Sequence, residues 1–382
     1  MRLSIFILFA LCATISYSQF TNFQCLQKTT IESEALGDSR DIWVGLPVDY
    51  DSSKTYSTLY VLDAETRYDI TYALSKEFYM NQAAISELIV VGIPQIDWVH
   101  RIKDMTFTDC KLDASGQTEP TGAFDESKTG GGMQLLKHLE EEVIPLVNQN
   151  YSTNGFNTLI GHSLGGYFCA YVMPIQHSFS AFLICDGSIW YNQGDVLKHL
   201  KKNLPKDFKS NVYITSGLAF DGPRDQVDPH IALIDSLRLF LSDYPNIDVG
   251  YSIYEDEDHV SMYMYSIMDG LSTVFKDCDY GFISPFEELS VQQYKDFYKA
   301  ASERLGFEIS PPVDGYRWVA YANHYQKKWE EALKAYDLCY HKFSEDIAVN
   351  AEIAECHKML GNKKEQKFYE EKMAKLEEAA KR

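Results

Sequence analysis

A serine lies between two glycines in the stretch NTLIGHSLGGYF, residues 157–168. Apolar, strand-like residues precede Gly161, and a helix is predicted from about Gly166. A G-x-S-x-G sequence at a strand–turn–helix junction is typical of a nucleophile elbow, in which the serine hydroxyl is exposed at the edge of a sheet. The pattern therefore predicts that Ser163 is a nucleophile and that the Leu164 N–H stabilises a developing oxyanion.

A serine nucleophile needs a base and an acid that orients it. In folds with this elbow the chain order is serine, acid, histidine, with the histidine after the last strand. His259 ends the run YSIYEDEDH and is the candidate base. The acid is expected after the strand NVYITSG, within LAFDGPRDQVD. Asp221 is favoured over Asp225, Asp228 is a third candidate, and the alternative is a solvated acidic loop.

Other residues are candidates for binding the substrate. The second oxyanion donor in such folds comes from the loop after the third strand, here LDAE, which makes the backbone N–H of Glu65 the candidate. Trp190 and Trp98 are candidate walls of an acyl or aryl pocket, against the alternative of core packing. Arg101 is a candidate contact for an anionic substrate, and a structural ion pair with Asp104 is the alternative.

These residues must be positioned by a regular framework. From about residue 27 to 285, helical stretches alternate with the short apolar runs DIWVGLP, STLYVLDAE, LIVVGIP, NTLIGHS, AFLICDGS, NVYITSG and VGYSIYEDEDH. Runs that are apolar throughout are typical of strands covered on both faces. In MQLLKHLEEEVIPLVNQN the apolar residues recur at helical spacing. The alternation predicts a doubly wound α/β fold with a mostly parallel sheet.

The first 18 residues are predicted to be a signal peptide. Arg2 supplies the positive start, residues 3–15 are largely apolar, and Ser16-Tyr17-Ser18 places small residues at the positions that a signal peptidase reads. We therefore expect a mature chain from about Gln19, exported to the periplasm or secreted. No later stretch reaches about 18 continuous apolar residues, so no membrane span is predicted.

Composition excludes some functions. The chain has a formal net charge of −20, which disfavours binding to nucleic acid. The cysteines beyond the signal peptide show no paired spacing, so any disulfide pairing stays open. No metal-binding motif is present, and neither a metal nor another cofactor is predicted.

The last part of the chain is predicted to be helical. From about residue 288 the strand pattern stops, and Trp329, Ala332 and Tyr336 before a helix break resemble the second helix of a tetratricopeptide repeat. Fewer than three such repeats must pack on another surface, which makes a protein partner possible. The predicted organisation is a signal peptide (1–18), a catalytic domain (19–287) and a helical connector with repeats (288–382).

Several stretches together resemble the putative-esterase (esterase D-like, siderophore-esterase-like) branch of the α/β-hydrolases. LYVLDAE resembles its oxyanion loop, with Ala64 where glycine is usual, and VVGIPQIDWVHRIKDMTFT resembles its arginine-bearing loop. The stretches TGGGMQLLKHLEEEVIPLV, GHSLGGYF, DGSIW and EDHVSMYMYSIMDGL match the glycine loop, elbow, tryptophan and histidine segments. The likeness runs from about residue 27 to 276. The order of the parts, with repeats at the C-terminus, is also similar to that of exported family members with a tetratricopeptide tail.

The resemblance implies an α/β-hydrolase fold and hydrolysis of small-molecule carboxylic esters through an acyl-enzyme. It does not supply the substrate, because one fold hosts many chemistries. Two other functions stay open. One is a secreted binding or scaffolding protein with a vestigial hydrolase site, and the other is acyl transfer to an alcohol.

Overall fold

The computed structural model describes residues 26–48, 50–77, 87–110, 124–219 and 229–381. The chain divides into two compact units, Met1–Lys276 and Asp277–Arg382. The division falls before the predicted boundary at residue 287, because Ile283 is buried in the core of the second unit. The predicted signal peptide and Asp221, Asp225 and Asp228 lie outside the described residues.

The first unit is built on one sheet of eight strands in the order β1-β2-β4-β3-β5-β6-β7-β8. The strands are β1 (Leu26–Ser33), β2 (Asp38–Gly45), β3 (Tyr56–Leu62), β4 (Leu88–Ile93), β5 (Thr153–His162), β6 (Ala181–Cys185), β7 (Ser210–Gly217) and β8 (Ile247–Tyr254). β1 pairs antiparallel with β2, β2 pairs antiparallel with β4, and the other neighbours are parallel. The predicted mostly parallel sheet is confirmed.

The seven apolar runs of the sequence form β2 to β8. Every residue of β3, β4 and β6 is buried, which explains why these runs lack polar alternation. β1 was not predicted. Its sequence LQKTTIES is largely exposed at the edge of the sheet and therefore carries no apolar signal.

Helices cover both faces of this sheet, as its buried strands require. They are α1 (Ala64–Glu77), α2 (Trp98–Met105), α3 (Gly132–Lys137), α4 (Ile144–Asn150), α5 (Leu164–Val172), α6 (Tyr191–Asn203), α7 (Pro229–Ser242) and α8 (Met262–Val274). A π-helical stretch, His138–Val143, joins α3 to α4 just before Pro145, which has no N–H to donate. The predicted helix at 133–150 is thus one continuous helical stretch, and its periodic apolar residues are buried.

The second unit is helical, as predicted. Its helices are α9 (Val291–Leu305), α10 (Val313–Tyr325), α11 (Trp329–Phe343), α12 (Ile347–Met359) and α13 (Lys363–Ala380). α10 packs against α11, and α12 packs against α13. Ala332 and Tyr336 are fully buried in the hydrophobic core of this unit, and Trp329 packs at the edge of that core. Among the described residues, no helix is long and apolar enough to cross a membrane.

Candidate active site

The elbow at Ser163 joins β5 directly to α5. Ser163 has φ 60° and ψ −119°, in the left-handed region that residues with a side chain rarely adopt. Gly161 is required there, because a Cβ on it would lie 2.1 Å from the carbonyl oxygen of Gly165. The strand–turn–helix context of the motif is therefore present. The helix begins at Leu164, two residues before the predicted start.

Two helix N-termini provide backbone donors at the ends of the neighbouring strands β3 and β5. Leu164 is the first residue of α5, and Glu65 is the second residue of α1, which follows β3. N–H groups in the first turn of a helix have no acceptor within that helix, so both can donate to another group. The Ser163 hydroxyl oxygen lies 3.3 Å from the hydroxyl oxygen of Ser188. The Ser188 N–H in turn donates to the Ser163 carbonyl at 2.8 Å, which holds the two residues side by side.

His259 is held by a carboxylate at the same edge of the sheet. Its Nδ1 lies 2.6 Å from Oδ2 of Asp186, the residue that directly follows β6. Ser216 and His230 donate to the other oxygen, Oδ1, at 2.5 and 2.9 Å. Because a carboxylate only accepts, Nδ1 of His259 carries the proton and Nε2 is left to accept one. The His259 side chain is 48% exposed, so Nε2 is accessible to a substrate.

Asp186 is held in its ionised form by the groups that donate to it. Burial alone would raise the pKa of this carboxyl, but the hydrogen bonds from His230, His259 and Ser216 outweigh it and hold the pKa well below its usual range. Only 2% of the residue is exposed. A buried, ionised carboxylate against Nδ1 stabilises the imidazolium that forms when the histidine takes a proton.

Comparison with known proteins finds a family for the part of the chain that carries this arrangement. A family model described as "Putative esterase" matches residues 33–219. This part of the chain thus matches the putative-esterase family. An IroE-like serine hydrolase from Shewanella oneidensis is 26% identical, with a TM-score of 0.69 over 83% of this chain and 99% of that one. The protein is accordingly a hydrolase that acts on esters, and it has the α/β-hydrolase fold.

Other solved structures share the fold. An uncharacterised protein from Capnocytophaga ochracea is 14% identical, with a TM-score of 0.67 over 92% of this chain and 99% of that one. The siderophore hydrolase EstA from Aspergillus nidulans is 18% identical, with a TM-score of 0.54 over 65% of this chain and 93% of that one. No curated relative matches the sequence.

Sequence reasoning did not find the carboxylate that contacts His259 in this esterase. It looked for the acid after β7, whereas Asp186 follows β6. Asp221 and Asp225 lie outside the described residues. His230, the second histidine on Asp186, was not considered either. A signal was available in the run AFLICDGS, where an aspartate directly follows an apolar strand that ends at the same edge as Ser163.

Arg101 does not pair with Asp104, the partner that the sequence suggested. Its Nε and Nη2 donate to the two oxygens of Asp63 at 2.6 and 2.9 Å, while Asp104 accepts from Arg40 at 2.7 Å. Arg101 Nη2 also donates to the His162 carbonyl at 3.3 Å. Arg101 is buried, so it ties the loop after β3 to the elbow after β5. The sequence could not show this, because Asp63 lies 38 residues away.

The two candidate tryptophans differ in exposure. Trp190 is half-buried, with its ring 6.1 Å from that of Phe124, and it lies two residues after Ser188. Trp98 is 58% exposed, and the Arg101 guanidinium lies 5.0 Å from the centre of its ring. Trp98 is thus available to a ligand. Trp190 combines core packing with a place beside the serine.

The described cysteines contribute no covalent link at the site. Cys110, Cys169, Cys185, Cys278, Cys339 and Cys356 are buried and form no disulfide with one another. Within the described ranges, no group of three or more histidine, cysteine, aspartate or glutamate side chains is arranged to hold a metal ion.

Proposed function

We propose that this chain is an exported serine esterase that hydrolyses carboxylic esters through an acyl-enzyme formed on Ser163. The observation that carries the proposal is the position of the Asp186–His259 hydrogen bond at the edge of the sheet where the strained elbow presents Ser163. A nucleophile, a base and an orienting acid are the parts that this chemistry needs.

The reaction begins when the Ser163 hydroxyl oxygen attacks the ester carbonyl carbon. His259 Nε2 takes the hydroxyl proton, and Asp186 stabilises the resulting imidazolium. The hydroxyl first turns from Ser188 toward His259, a tightening that is common between an unliganded enzyme and its substrate complex. The N–H groups of Leu164 and Glu65 donate to the oxyanion of the tetrahedral intermediate.

The intermediate collapses when the bond to the alcohol oxygen breaks. His259 returns its proton to that oxygen, the alcohol leaves, and the acyl group stays on Ser163. A water molecule then attacks the acyl carbonyl while His259 takes a proton from it. Collapse of this second intermediate releases the carboxylic acid, and the proton returns to the Ser163 oxygen.

The acyl or aryl part of the substrate is proposed to contact Trp190 and Trp98. Trp190 follows Ser188 by two residues. Trp98 is exposed, and its ring lies 5.0 Å from the guanidinium of Arg101, which is bound to Asp63 in the loop after β3. Arg101 is buried against Asp63, and we assign it the task of positioning that loop. Trp190→Ala is expected to raise KM more than it lowers thermal stability; a large loss of stability at unchanged KM would make Trp190 a core residue.

The second unit is proposed to be tetratricopeptide-like, with two helical hairpins formed by α10–α11 and α12–α13. Its own buried core supports a role separate from catalysis, such as contact with a protein partner. A chain that ends at Lys276 is expected to keep esterase activity. If activity is lost from a folded truncated chain, the repeats contribute to the active site.

The proposal is tested by labelling the mature chain with a fluorophosphonate, which reacts with activated serines, and locating the label by mass spectrometry. Label is expected on Ser163, and none on Ser163→Ala. Ser188→Ala is the matched control, because it removes the neighbouring hydroxyl and leaves the nucleophile. Absence of label on folded wild-type protein, or turnover by Ser163→Ala, would rule out the mechanism.

A further inference from the structure

His162, the residue before the nucleophile, uses both ring nitrogens inside the site. Its Nδ1 lies 3.1 Å from Nη2 of Arg67, and its Nε2 lies 2.5 Å from the backbone carbonyl oxygen of His259. A guanidinium can only donate a hydrogen bond, and a carbonyl oxygen can only accept one. His162 must therefore accept at Nδ1 and donate from Nε2, which defines a single neutral tautomer.

The charges around His162 keep it neutral. Burial, followed by the charges of Arg67 and His259, lowers the pKa of His162 to about 3. Tyr263 of α8 faces it edge-on at 5.9 Å between ring centres, and Asp186 is the acidic group nearby. The ring therefore remains an Nε2–H donor throughout the pH range of ester hydrolysis.

The bond from His162 ties the elbow to the loop that carries His259. His259 lies in the loop 255–261 between β8 and α8. Within this loop, Asp258 accepts from the N–H groups of Val260 and Ser261, which shapes the turn. The Glu257 carbonyl accepts from the Ala219 N–H at 2.9 Å, which ties the loop to the chain after β7 but not to the elbow. The His259 side chain is tied to Asp186, and its main chain is tied to His162. The His162 and His259 rings also lie 4.4 Å apart, centre to centre.

Arg67 holds the other side of the His162 ring. It lies on α1, and its guanidinium carbon is 4.6 Å from the centre of the Tyr263 ring. Among the described residues it forms no ion pair, so its polar side-chain contact is the bond to Nδ1 of His162. Arg67 thus sets which way the His162 ring presents its Nε2–H.

We propose that His162, oriented by Arg67, is a positioning residue that fixes the main chain of His259 so that its imidazole meets Ser163. This inference rests on the proposed function of Ser163 and His259. A misplacement of about 1 Å can cost about a hundredfold in rate. Removing the bond to the His259 carbonyl should therefore lower kcat and leave KM nearly unchanged, because substrate contacts are not altered.

Two matched variants separate this role from packing. In His162→Gln the side-chain amide places an N–H donor near the former Nε2, whereas in His162→Asn the shorter amide reaches only the position of Nδ1. We expect His162→Asn to lower kcat by about ten- to a hundredfold, with a KM within twofold of the wild type on a p-nitrophenyl ester. His162→Gln should recover most of that loss. The rate of fluorophosphonate labelling of Ser163 should follow the same order.

Arg67→Met provides a second variant that leaves the elbow sequence intact. It should lower kcat less than His162→Asn, and the double variant should be no slower than His162→Asn alone, because residues that act through one another are not additive. Additive losses would overturn the role of Arg67. Equal losses in the Asn and Gln variants, a loss confined to KM, or no loss in His162→Asn would overturn the role of His162. Turnover by Ser163→Ala would instead overturn the proposed function.

Discussion

Replacing Asp186 by asparagine tests the acid of the site with almost no change of volume. In the structure, Ser216 and His230 both donate to Oδ1 of Asp186, and His259 donates to Oδ2. The asparagine must therefore turn its carbonyl oxygen toward Ser216 and His230. Its NH2 group then faces Nδ1 of His259.

The expected magnitude follows from that geometry. An NH2 group facing Nδ1 forces the tautomer of His259 in which Nδ1 accepts and Nε2 carries the proton. This tautomer cannot take the proton of Ser163, and in serine proteases the same change lowers kcat about ten-thousandfold. The free energy of unfolding should fall by only about 1–3 kcal/mol, because two of the three hydrogen bonds are retained.

The assay is kcat on a p-nitrophenyl ester at neutral pH, with thermal melting as the control for folding. Asp221→Asn is the matched variant, since the sequence favoured that residue as the acid. We expect the kcat of Asp186→Asn to be several orders of magnitude below that of the wild type, and the kcat of Asp221→Asn to stay near it. If the Asp186→Asn enzyme keeps kcat within tenfold of the wild type, or if Asp221→Asn shows the large loss, the assignment of Asp186 is refuted.

Three further predictions concern stability. Gly161→Ala should destabilise the protein by about 1–3 kcal/mol in urea unfolding, because the new Cβ meets the Gly165 carbonyl; an unchanged midpoint would contradict the close approach. Arg101→Leu should lower the free energy of unfolding by about 3–5 kcal/mol, because it leaves the Asp63 carboxylate buried and unpaired. Adding Asp63→Asn should recover part of that loss. The lowered pKa of His162 means that the unfolded chain binds a proton between about pH 6.5 and 3 that the folded chain does not. The contribution of His162 to stability is therefore full above pH 6.5 and falls by at most about 1.4 kcal/mol per pH unit below it. His162→Gln should reduce the pH dependence of unfolding by this contribution in denaturant titrations at several pH values.

Most of the fold could be predicted from the sequence, because buried parallel strands leave continuous apolar runs. Seven strands carry that signal, and the helix at 133–150 carries a clear helical period. β1 could not be found this way, since an exposed edge strand buries too few side chains to need an apolar pattern. The ion pair between Arg101 and Asp63 was also beyond the sequence, because it depends on how two loops meet in space.

The carboxylate that contacts His259 was not found for a related reason. Sequence order alone places the acid after β7, but β6 and β7 are adjacent, and Cys185 at the end of β6 lies opposite Thr215, two residues before the end of β7. Neighbouring strands lie about 4.8 Å apart, so a carboxylate at either strand end can reach a histidine that follows β8. Chain order therefore cannot decide between the two ends. The structure places Asp186 of the β6 end against His259.

Three residues with a strained backbone lie at the edge of the sheet that carries the site. Three neighbouring strands of the sheet, β3, β5 and β6, are each followed directly by a residue with positive φ. These residues are Asp63, Ser163 and Asp186, with φ values of 55°, 60° and 44°. Left-handed φ at residues with a side chain is costly and persists only where the surroundings hold it. Here Arg101 holds Asp63, the Cys185 carbonyl accepts from the N–H of Ser163, and Ser216 and His230 hold Asp186. Each strand thus ends in an abrupt turn that is fixed by its neighbours, and the three turns lie at the one edge to which we assign the oxyanion loop, the nucleophile and the acid.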